Sequence, residues 1–335
     1  MLTSIRNIWR PDNYHGWNKR PPFFEGWYFK LVDPTETHAL AVIPGVFLAA
    51  DPADSHCFVQ TLIGKTGHST YHRYPLDQFH ADRERFDVRI GPNHFNAQSI
   101  TLDIAAPERT LRGEVRFADT TPWPVTALSP GIMDWYTFTP FMQCYHGVVS
   151  LDHSLGGTLA VDGQEIDFTQ GRGYIEKDWG RSFPKAWVWM QTNHFAQPGV
   201  CLSASVATIP WLGTAFRGFI IGFLVEGTLY RFATYTGAKI TRLGLTDTHV
   251  IWHISGRTGP QRQPHTLEIR ADRAEGGLLH EPAAGQGAML QRVMESLTAQ
   301  VHVRLVREDG LVIFDDIGRH AGLEISGQLD EILDA

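Results

Sequence analysis

Short apolar runs, each bounded by Gly, Pro, Asp or Asn, recur along the whole chain and constrain its fold more than any other feature. Such runs between turn residues are typical of antiparallel strands. The clearest turn is Asp162 followed by Gly163, which joins two apolar runs and predicts a hairpin with a primed turn. The runs that we predict as strands are residues 56–64, 86–91, 100–105, 111–118, 157–161, 186–195, 200–209, 216–225, 229–235, 249–255, 267–271, 301–307 and 311–317.

These runs are more numerous than the roughly eight to ten strands of one closed barrel. We therefore predict an all-β fold of two tandem antiparallel β-barrels. An aromatic run opens each half of the chain, GWYFK at 26–30 and AWVWM at 186–190. We place the first barrel at residues 1–180 and the second at residues 181–335 of the 335-residue chain.

One late amphipathic helix is predicted at residues 287–299. Apolar residues spaced by three or four positions fall on one face of a helix. The residues that set this pattern are Met289, Leu290, Val293, Met294 and Leu297.

Composition excludes several classes of function. The net charge is −7, and Lys and Arg are scattered, so nucleic acid is not an expected partner. The three Cys residues are far apart and odd in number, which predicts free thiols in a reducing compartment. The sequence shows no signal peptide and no apolar run of about 18 residues, so we expect a soluble, cytoplasmic protein, with transient membrane contact left open.

Motifs for cofactors and metals give no positive signal. The chain has no dinucleotide fingerprint, no complete phosphate loop, no zinc-protease motif and no nucleophile elbow. His146 and His153 flank a predicted strand, and we interpret them as exposed or hydrogen-bonded imidazoles rather than metal ligands. We therefore expect no cofactor and no metal.

Two segments concentrate ionisable and aromatic residues, PFFEGWYFK at 22–30 and GRGYIEKDWGRSFP at 171–184. Together with FTPFMQCYHGVVS at 138–150 and YHGW at 14–17, they resemble the tocopherol cyclase family, in particular its shorter bacterial branch. The resemblance extends from about residue 10 into the 190s and is weaker beyond.

The resemblance implies tandem lipocalin-like barrels, distantly similar to carotenoid 1,2-hydratases. It also implies an intramolecular lyase or isomerase that uses acid to cyclise, or hydrate, a prenylated quinol or related isoprenoid lipid. Such a reaction protonates an alkene and needs neither a redox cofactor nor a metal. The alternative function is a non-catalytic carrier of a hydrophobic small molecule, which has no need of an acid buried among tryptophans.

The acid is sought among carboxylates whose neutral form is favoured by apolar surroundings. Asp178 is the first candidate, Glu176 shares its strand face, and Glu25 is the third, while Lys177 points to the other face. Tyr174 and His194 are candidates to deprotonate or orient a phenol. In the alternative interpretation, residues 176–178 form a structural ion-pair network at the barrel junction and Glu25 pins the first strand.

A cation formed on the ligand would be stabilised by aromatic faces, at about 0.5–2 kcal/mol each. Core packing is the competing role for each ring, and we predict that the tryptophans of the two opening strands are mostly buried. The candidate ligand-binding residues are Trp27, Tyr28, Trp179, Trp187, Trp189 and His194.

Overall fold

The structure is a computed structural model. The part of the chain that it describes comprises residues 6–140, 142–283 and 287–333. The chain divides into two compact units, residues 1–183 with 277–292 and residues 184–276 with 293–335. No helix in the described part of the chain combines the length and the apolar character needed to cross a membrane.

The return of the chain to the first unit is seen in hydrogen bonds that Leu278 and His280 form with its strands. The Ser69 hydroxyl donates to the carbonyl of Leu278 over 2.6 Å, and the His280 backbone N–H donates to Oε1 of Gln60 over 2.7 Å. Sequence periodicity carries no signal for such a return of the chain, since the contacts join segments more than 200 residues apart.

Antiparallel pairing joins the strands between residues 23 and 180 of the first unit into a twelve-stranded sheet. Its strands are β1 (Phe23–Val32), β2 (Ala39–Leu48), β3 (His56–Ile63), β4 (His68–Pro75), β5 (Phe79–Ala81), β6 (Asp87–Ile90), β7 (Asn93–Asn96), β8 (Ser99–Ala106), β9 (Arg109–Ala118), β10 (Cys144–Val161), β11 (Gln164–Asp167) and β12 (Arg172–Gly180). Their order is β4-β3-β2-β1-β12-β10-β9-β8-β7-β6-β5, with β11 paired to β10.

A second sheet contains ten strands. They are β13 (Ala186–Thr192), β14 (Cys201–Trp211), β15 (Thr214–Val225), β16 (Thr228–Ala233), β17 (Lys239–Leu245), β18 (His249–Thr258), β19 (Gln263–Asp272), β20 (Gly277–Pro282), β21 (Met289–Arg307) and β22 (Val312–Gly327). Their order is β16-β15-β14-β13-β22-β21-β19-β18-β17, with β20 paired to β21.

The two sheets repeat one strand order: a four-strand meander, then the last strand, then the intervening strands in descending order. The aromatic runs noted at 26–30 and 186–190 lie on β1 and β13, which hold equivalent positions beside the last strand of each sheet. The all-β prediction is confirmed.

Each sheet is nevertheless an open path of strands over the described residues, because the edge strands β4 and β5, and β16 and β17, are not hydrogen-bonded to each other. A short 3₁₀ turn separates each pair of edges, and hydrogen bonds join β4 to β7 and β16 to β18. Asn93 Nδ2 donates to the Tyr74 hydroxyl over 3.2 Å in the first unit, and the Arg231 N–H donates to Oγ1 of Thr258 over 2.8 Å in the second.

The predicted helix at 287–299 was wrong, because this segment forms part of β21, from Met289 onwards. Val293, Leu297 and Ala299 are buried while Met294 is 45% exposed, which is the alternation of a strand. A spacing of four residues fits both a helix and a strand, since four is a multiple of two. The helical elements in the described part of the chain are short 3₁₀ turns at Asn7–Trp9, Pro52–Asp54, Leu76–Gln78, Asp134–Phe138, Thr234–Thr236 and Leu329–Glu331.

Candidate functional site

Strand β12 carries ionisable side chains on both of its faces. Tyr174, Glu176 and Asp178 alternate with Lys177 and Trp179, so they point to opposite sides of the sheet. The Tyr174 hydroxyl donates to Oε2 of Glu176 over 2.5 Å, whereas Trp179 belongs to the hydrophobic core of the first unit. The structure confirms that Glu176 and Asp178 share a face and that Lys177 lies on the other.

His146, on the neighbouring strand β10, pairs directly with Asp178 in the sheet. Its Nδ1 lies 3.0 Å from Oδ1 of Asp178, and its Nε2 lies 3.8 Å from Oε2 of Glu176. The imidazole is therefore hydrogen-bonded to Asp178 and forms a longer ion-pair contact with Glu176. We call His146, Tyr174, Glu176 and Asp178 the acid cluster.

The acid cluster keeps a proton on His146. Burial by itself would lower the pKa of His146, but the negative charges of Asp178 and Glu176 and the hydrogen bond to Asp178 outweigh it and raise that pKa to about 9. The side chain of Asp178 is 26% exposed, against 16% for His146 and 6% for Glu176. Asp178 is therefore the member of the cluster that a ligand can reach most easily.

Soft and aromatic groups surround the acid cluster. The His146 N–H donates to Sδ of Met133 over 3.0 Å, and the Cys144 thiol donates weakly to Oδ1 of Asp178 over 3.9 Å. Burial and the nearby charge of Asp178 raise the pKa of the Cys144 thiol well above its usual value, so it remains protonated. The ring of Tyr28 meets that of Tyr174 edge to face, with centroids 6.5 Å apart.

A buried ion pair occupies the opposite face of β12. Lys177 Nζ lies 2.5 Å from Oε1 of Glu25, and neither side chain is exposed to solvent. The N–H of His15 donates to both Glu25 oxygens over 2.8 and 2.9 Å, and Nδ1 of His15 lies 2.7 Å from Lys177 Nζ. Lys177 also donates to the carbonyl of Asn13. We call Lys177 and Glu25 the core ion pair.

Two indole rings enclose the ammonium of the core ion pair. Lys177 Nζ lies 4.9 Å from the ring centroid of Trp27 and 4.7 Å from that of Trp179. Burial lowers the pKa of Lys177, opposed by Glu25. Burial alone would raise the pKa of Glu25, but the charge of Lys177 and the hydrogen bond from His15 lower it. Both charges of the core ion pair have partners, as expected if Glu25 has the structural role of pinning the first strand.

The predicted site residues thus separate into groups. Glu25, Trp27 and Trp179 face the core of the first unit and do not join the acid cluster. Trp27 is fully buried and stacks on Phe86, with centroids 5.4 Å apart. Of the predicted ligand-binding residues, Tyr28 contacts the acid cluster, through the ring of Tyr174.

The other three predicted residues belong to the second unit. Trp187 and Trp189 are each 5% exposed, which confirms their predicted burial. They lie on the face of β13 opposite the side chains that fill the core of this unit. The Trp187 Nε1–H donates to Oε2 of Glu324 over 2.7 Å, and His194 is buried with its ring 5.5 Å from that of His320.

Sequence reasoning did not identify His146 as a partner of Asp178. The signal that could have found it is the register of β10 against β12, which is set by long-range pairing. His146, Glu176 and Asp178 also bring potential metal ligand atoms within 4.8 Å of one another. A cation there would compete with the His146 proton, because a metal-bound imidazole is neutral.

The sequence model of the tocopherol cyclase-like family matches residues 123–327. That range contains the segments 138–150 and 171–184 and the whole acid cluster, but not the aromatic segment at 22–30.

Two curated relatives are chloroplastic plant proteins. The chain is 25% identical over 204 residues to a tocopherol cyclase of Zea mays, a match covering 58% of this chain and 41% of the relative. It is 25% identical over 212 residues to a probable tocopherol cyclase of Oryza sativa subsp. japonica, covering 61% and 44%. The matched region is thus less than half the length of these relatives.

Solved structures share the fold at low sequence identity. A candidate AttH protein from Nitrosomonas europaea aligns with a TM-score of 0.53 at 14% identity, covering 91% of this chain and 92% of its own. CghA aligns with a TM-score of 0.51 at 12% identity, covering 94% and 90%.

Proposed function

The chain belongs to the tocopherol cyclase-like family, and from this premise we propose that it is an enzyme that isomerises a prenylated quinol or a related isoprenoid lipid by acid catalysis. The observation that carries the proposal is the hydrogen-bonded pair of His146 and Asp178, whose side chains remain partly open to solvent. The pKa of His146 is raised to about 9, so its imidazolium carries a proton near neutral pH.

In the proposed reaction, the His146–Asp178 pair gives one proton to the less substituted carbon of a prenyl double bond. The alkene π electrons form the new C–H bond, and positive charge develops on the tertiary carbon. The phenol oxygen of the quinol attacks that carbon, and the phenolic proton returns to the pair. Atoms balance without a cofactor, and attack by water in place of the phenol would give hydration instead.

Glu176 and Tyr174 have supporting roles in this proposal. Glu176 lies 3.8 Å from Nε2 of His146 and stabilises the imidazolium while His146 is protonated. The Tyr174 hydroxyl donates to Glu176 and orients its carboxylate. The ring of Tyr28 meets that of Tyr174 edge to face, and we propose that these two rings line the path of the prenyl chain.

A carrier remains the competing function, and the placement of the carboxylates bears on it. A carrier would leave its acids in solvent, since burial of a charge costs free energy. Glu176 is buried and Asp178 is bonded to an imidazole of raised pKa, which is the arrangement expected of an acid–base site. This supports catalysis over simple binding.

The test is Asp178→Asn, assayed with a prenylated hydroquinone. The amide keeps the shape of the carboxylate but cannot return the proton, so turnover should fall about 100-fold or more. A matched control is Asp87→Asn, because Asp87 bonds His94 over 2.9 Å with both side chains about a quarter exposed, away from the acid cluster. The control should retain parental turnover.

A melting curve for each variant separates chemistry from folding. An Asp178→Asn protein that melts normally and turns over at the parental rate would remove Asp178 from the mechanism. The structural role would be favoured instead if turnover were lost and the free energy of unfolding fell by about 3–5 kcal/mol, the cost of a stranded buried charge.

A further inference from the structure

An exposed apolar surface lies on the segment between β9 and β10. Residues 120–140, which we call the aromatic loop, contain a single charged residue, Asp134. Leu128 is 82% exposed, and Val125, Trp135 and Phe138 are each more than 40% exposed. Within the described chain, Trp135 and Phe138 are the aromatic members of the set of exposed large hydrophobic side chains.

The aromatic loop is fixed to the first unit, so its outward side chains are not those of an unanchored segment. The N–H of Thr121 donates to the carbonyl of Asp152 and the N–H of Leu151 donates to the carbonyl of Thr121, both over 2.8 Å. Trp123 and Ile132 are buried and anchor the loop. The apolar side chains that remain outside are therefore held outside by the fold.

Trp9 connects the part of the aromatic loop around Leu128 with the part around Phe138. The Trp9 Nε1–H donates to the carbonyl of Ala127 over 3.1 Å, beside Leu128. The Trp9 ring meets that of Phe138 edge to face, with centroids 5.8 Å apart. A contiguous apolar patch of this kind marks an interaction surface, unlike single exposed apolar residues.

Positive charge flanks the patch. Arg6 and Arg10 stand on either side of Trp9 in the chain, and both are exposed. Over residues 6–140, 142–283 and 287–333 neither arginine forms an ion pair. Trp at the boundary, Leu and Phe beyond it and Arg at the rim form the pattern of a surface that enters a lipid headgroup layer.

The inner side of the same loop reaches the acid cluster. Met133 is 5% exposed, and its Sδ accepts the hydrogen bond from the N–H of His146 over 3.0 Å. One segment thus connects the exposed patch to the residue that holds the proton.

We propose that the aromatic loop, with Trp9, Arg6 and Arg10, docks the first unit on the surface of a lipid bilayer, with a preference for anionic headgroups. The occupant is lipid because the patch combines interfacial aromatics with unpaired cations, and anionic lipid attracts basic residues at a surface. The link between this surface and catalysis rests on the proposed function: a prenylated lipid would leave the bilayer beside the acid cluster.

The test is co-sedimentation of the full chain with vesicles of phosphatidylcholine alone and of phosphatidylcholine mixed with phosphatidylglycerol. Leu128→Glu should lower the partition coefficient at least about tenfold, because a charge replaces the apolar side chain that enters the headgroup layer. Leu212→Glu is the matched control, since Leu212 is a 79%-exposed leucine on the hairpin between β14 and β15 of the second unit. It should bind vesicles as the parent does.

Arg10→Glu tests the electrostatic part. Binding to the mixed vesicles should weaken about fivefold or more, with a smaller change on phosphatidylcholine alone. A parent protein that binds neither vesicle, or equal binding by Leu128→Glu and the parent, would overturn the proposal. Dimerisation of the parent that Leu128→Glu abolishes, seen by sedimentation equilibrium without vesicle binding, would assign the patch to a second copy instead.

The docking and catalytic proposals fail separately. Turnover of a quinol dispersed in detergent without vesicle binding would overturn docking alone. Vesicle binding without turnover of any prenylated quinol would overturn the proposed function and leave docking in place.

Discussion

The two faces of β12 treat neighbouring charges in opposite ways. On the core face, Lys177 is paired with Glu25 and fully enclosed between two indole rings. On the other face, Glu176 and Asp178 flank a protonated imidazole, and Asp178 remains partly open to solvent. Adjacent residues of one strand therefore serve a structural pair and an acid–base cluster.

The difference shows what makes a charged group reactive in this protein. In the core ion pair, Glu25 stabilises the ammonium of Lys177, and Lys177 and His15 stabilise the carboxylate of Glu25, so loss of either charge is disfavoured. In the acid cluster, the imidazole of His146 lies within ion-pair distance of both carboxylates, which raise its pKa to about 9. Openness to solvent then decides which face can meet a ligand.

Lys177→Met would break the structural side of the comparison and should have the largest effect. The carboxylate of Glu25 would be left buried without its partner, which costs about 3–5 kcal/mol of unfolding free energy. Urea unfolding measures the loss. Arg112→Met is the control, because its 2.8 Å pair with Asp103 is more than half exposed at both ends and is worth about 1 kcal/mol or less.

A loss below about 1 kcal/mol for Lys177→Met would contradict the structural role of the core ion pair. The double variant Lys177→Met with Glu25→Gln removes both charges. It should recover much of the stability, since removal of both partners leaves no stranded charge.

The acid cluster should make stability depend on pH in the alkaline range. The pKa of His146 is about 9 in the folded chain and 6.5 in the unfolded reference, so the folded state holds the proton more tightly. This stabilisation is complete below pH 6.5 and is lost as the pH rises through about 9; it amounts to up to about 3 kcal/mol. Urea unfolding at about pH 6 and about pH 9.5 measures it.

His146→Gln supplies the comparison for that pH dependence. The variant should lose the alkaline fall in stability that the parent shows, because no imidazole remains to titrate. An identical pH profile in parent and variant would mean that His146 is not the group held protonated between Asp178 and Glu176.

Trp179→Phe sharpens the comparison with the smallest expected effect. The indole stacks on His15 with centroids 4.3 Å apart and covers Lys177. A smaller ring weakens the cation–π contact and leaves space, so unfolding free energy should fall by about 1–2 kcal/mol. We expect the loss of unfolding free energy to exceed the change in KM for the quinol when that change is expressed as a free energy. A change in KM that exceeds the loss of stability would place Trp179 in the ligand site.

Some of the site follows from the sequence alone. Strand periodicity places Glu176 and Asp178 on one face and Lys177 on the other, and the structure agrees, because alternation is a local property of extended backbone. The sequence also shows the aromatic run that opens each half of the chain, and these runs lie on the equivalent strands β1 and β13. The segment at 289–299 shows the limit of such patterns, since its four-residue spacing fits both periods and pairing in the sheet decided for the strand.

The sequence by itself determined that this chain is rich in antiparallel strands, that its charges at 176–178 alternate between two faces, and that it resembles one enzyme family. Only the tertiary structure decided the partners. His146 meets Asp178 from 32 positions away through the register of β10 against β12, and Glu25 meets Lys177 through the pairing of β1 with β12. The reason is physical. Side chains alternate between the two faces of any extended segment, which is a local property, whereas strand register depends on which face of a whole sheet is buried, and a single segment does not carry that information.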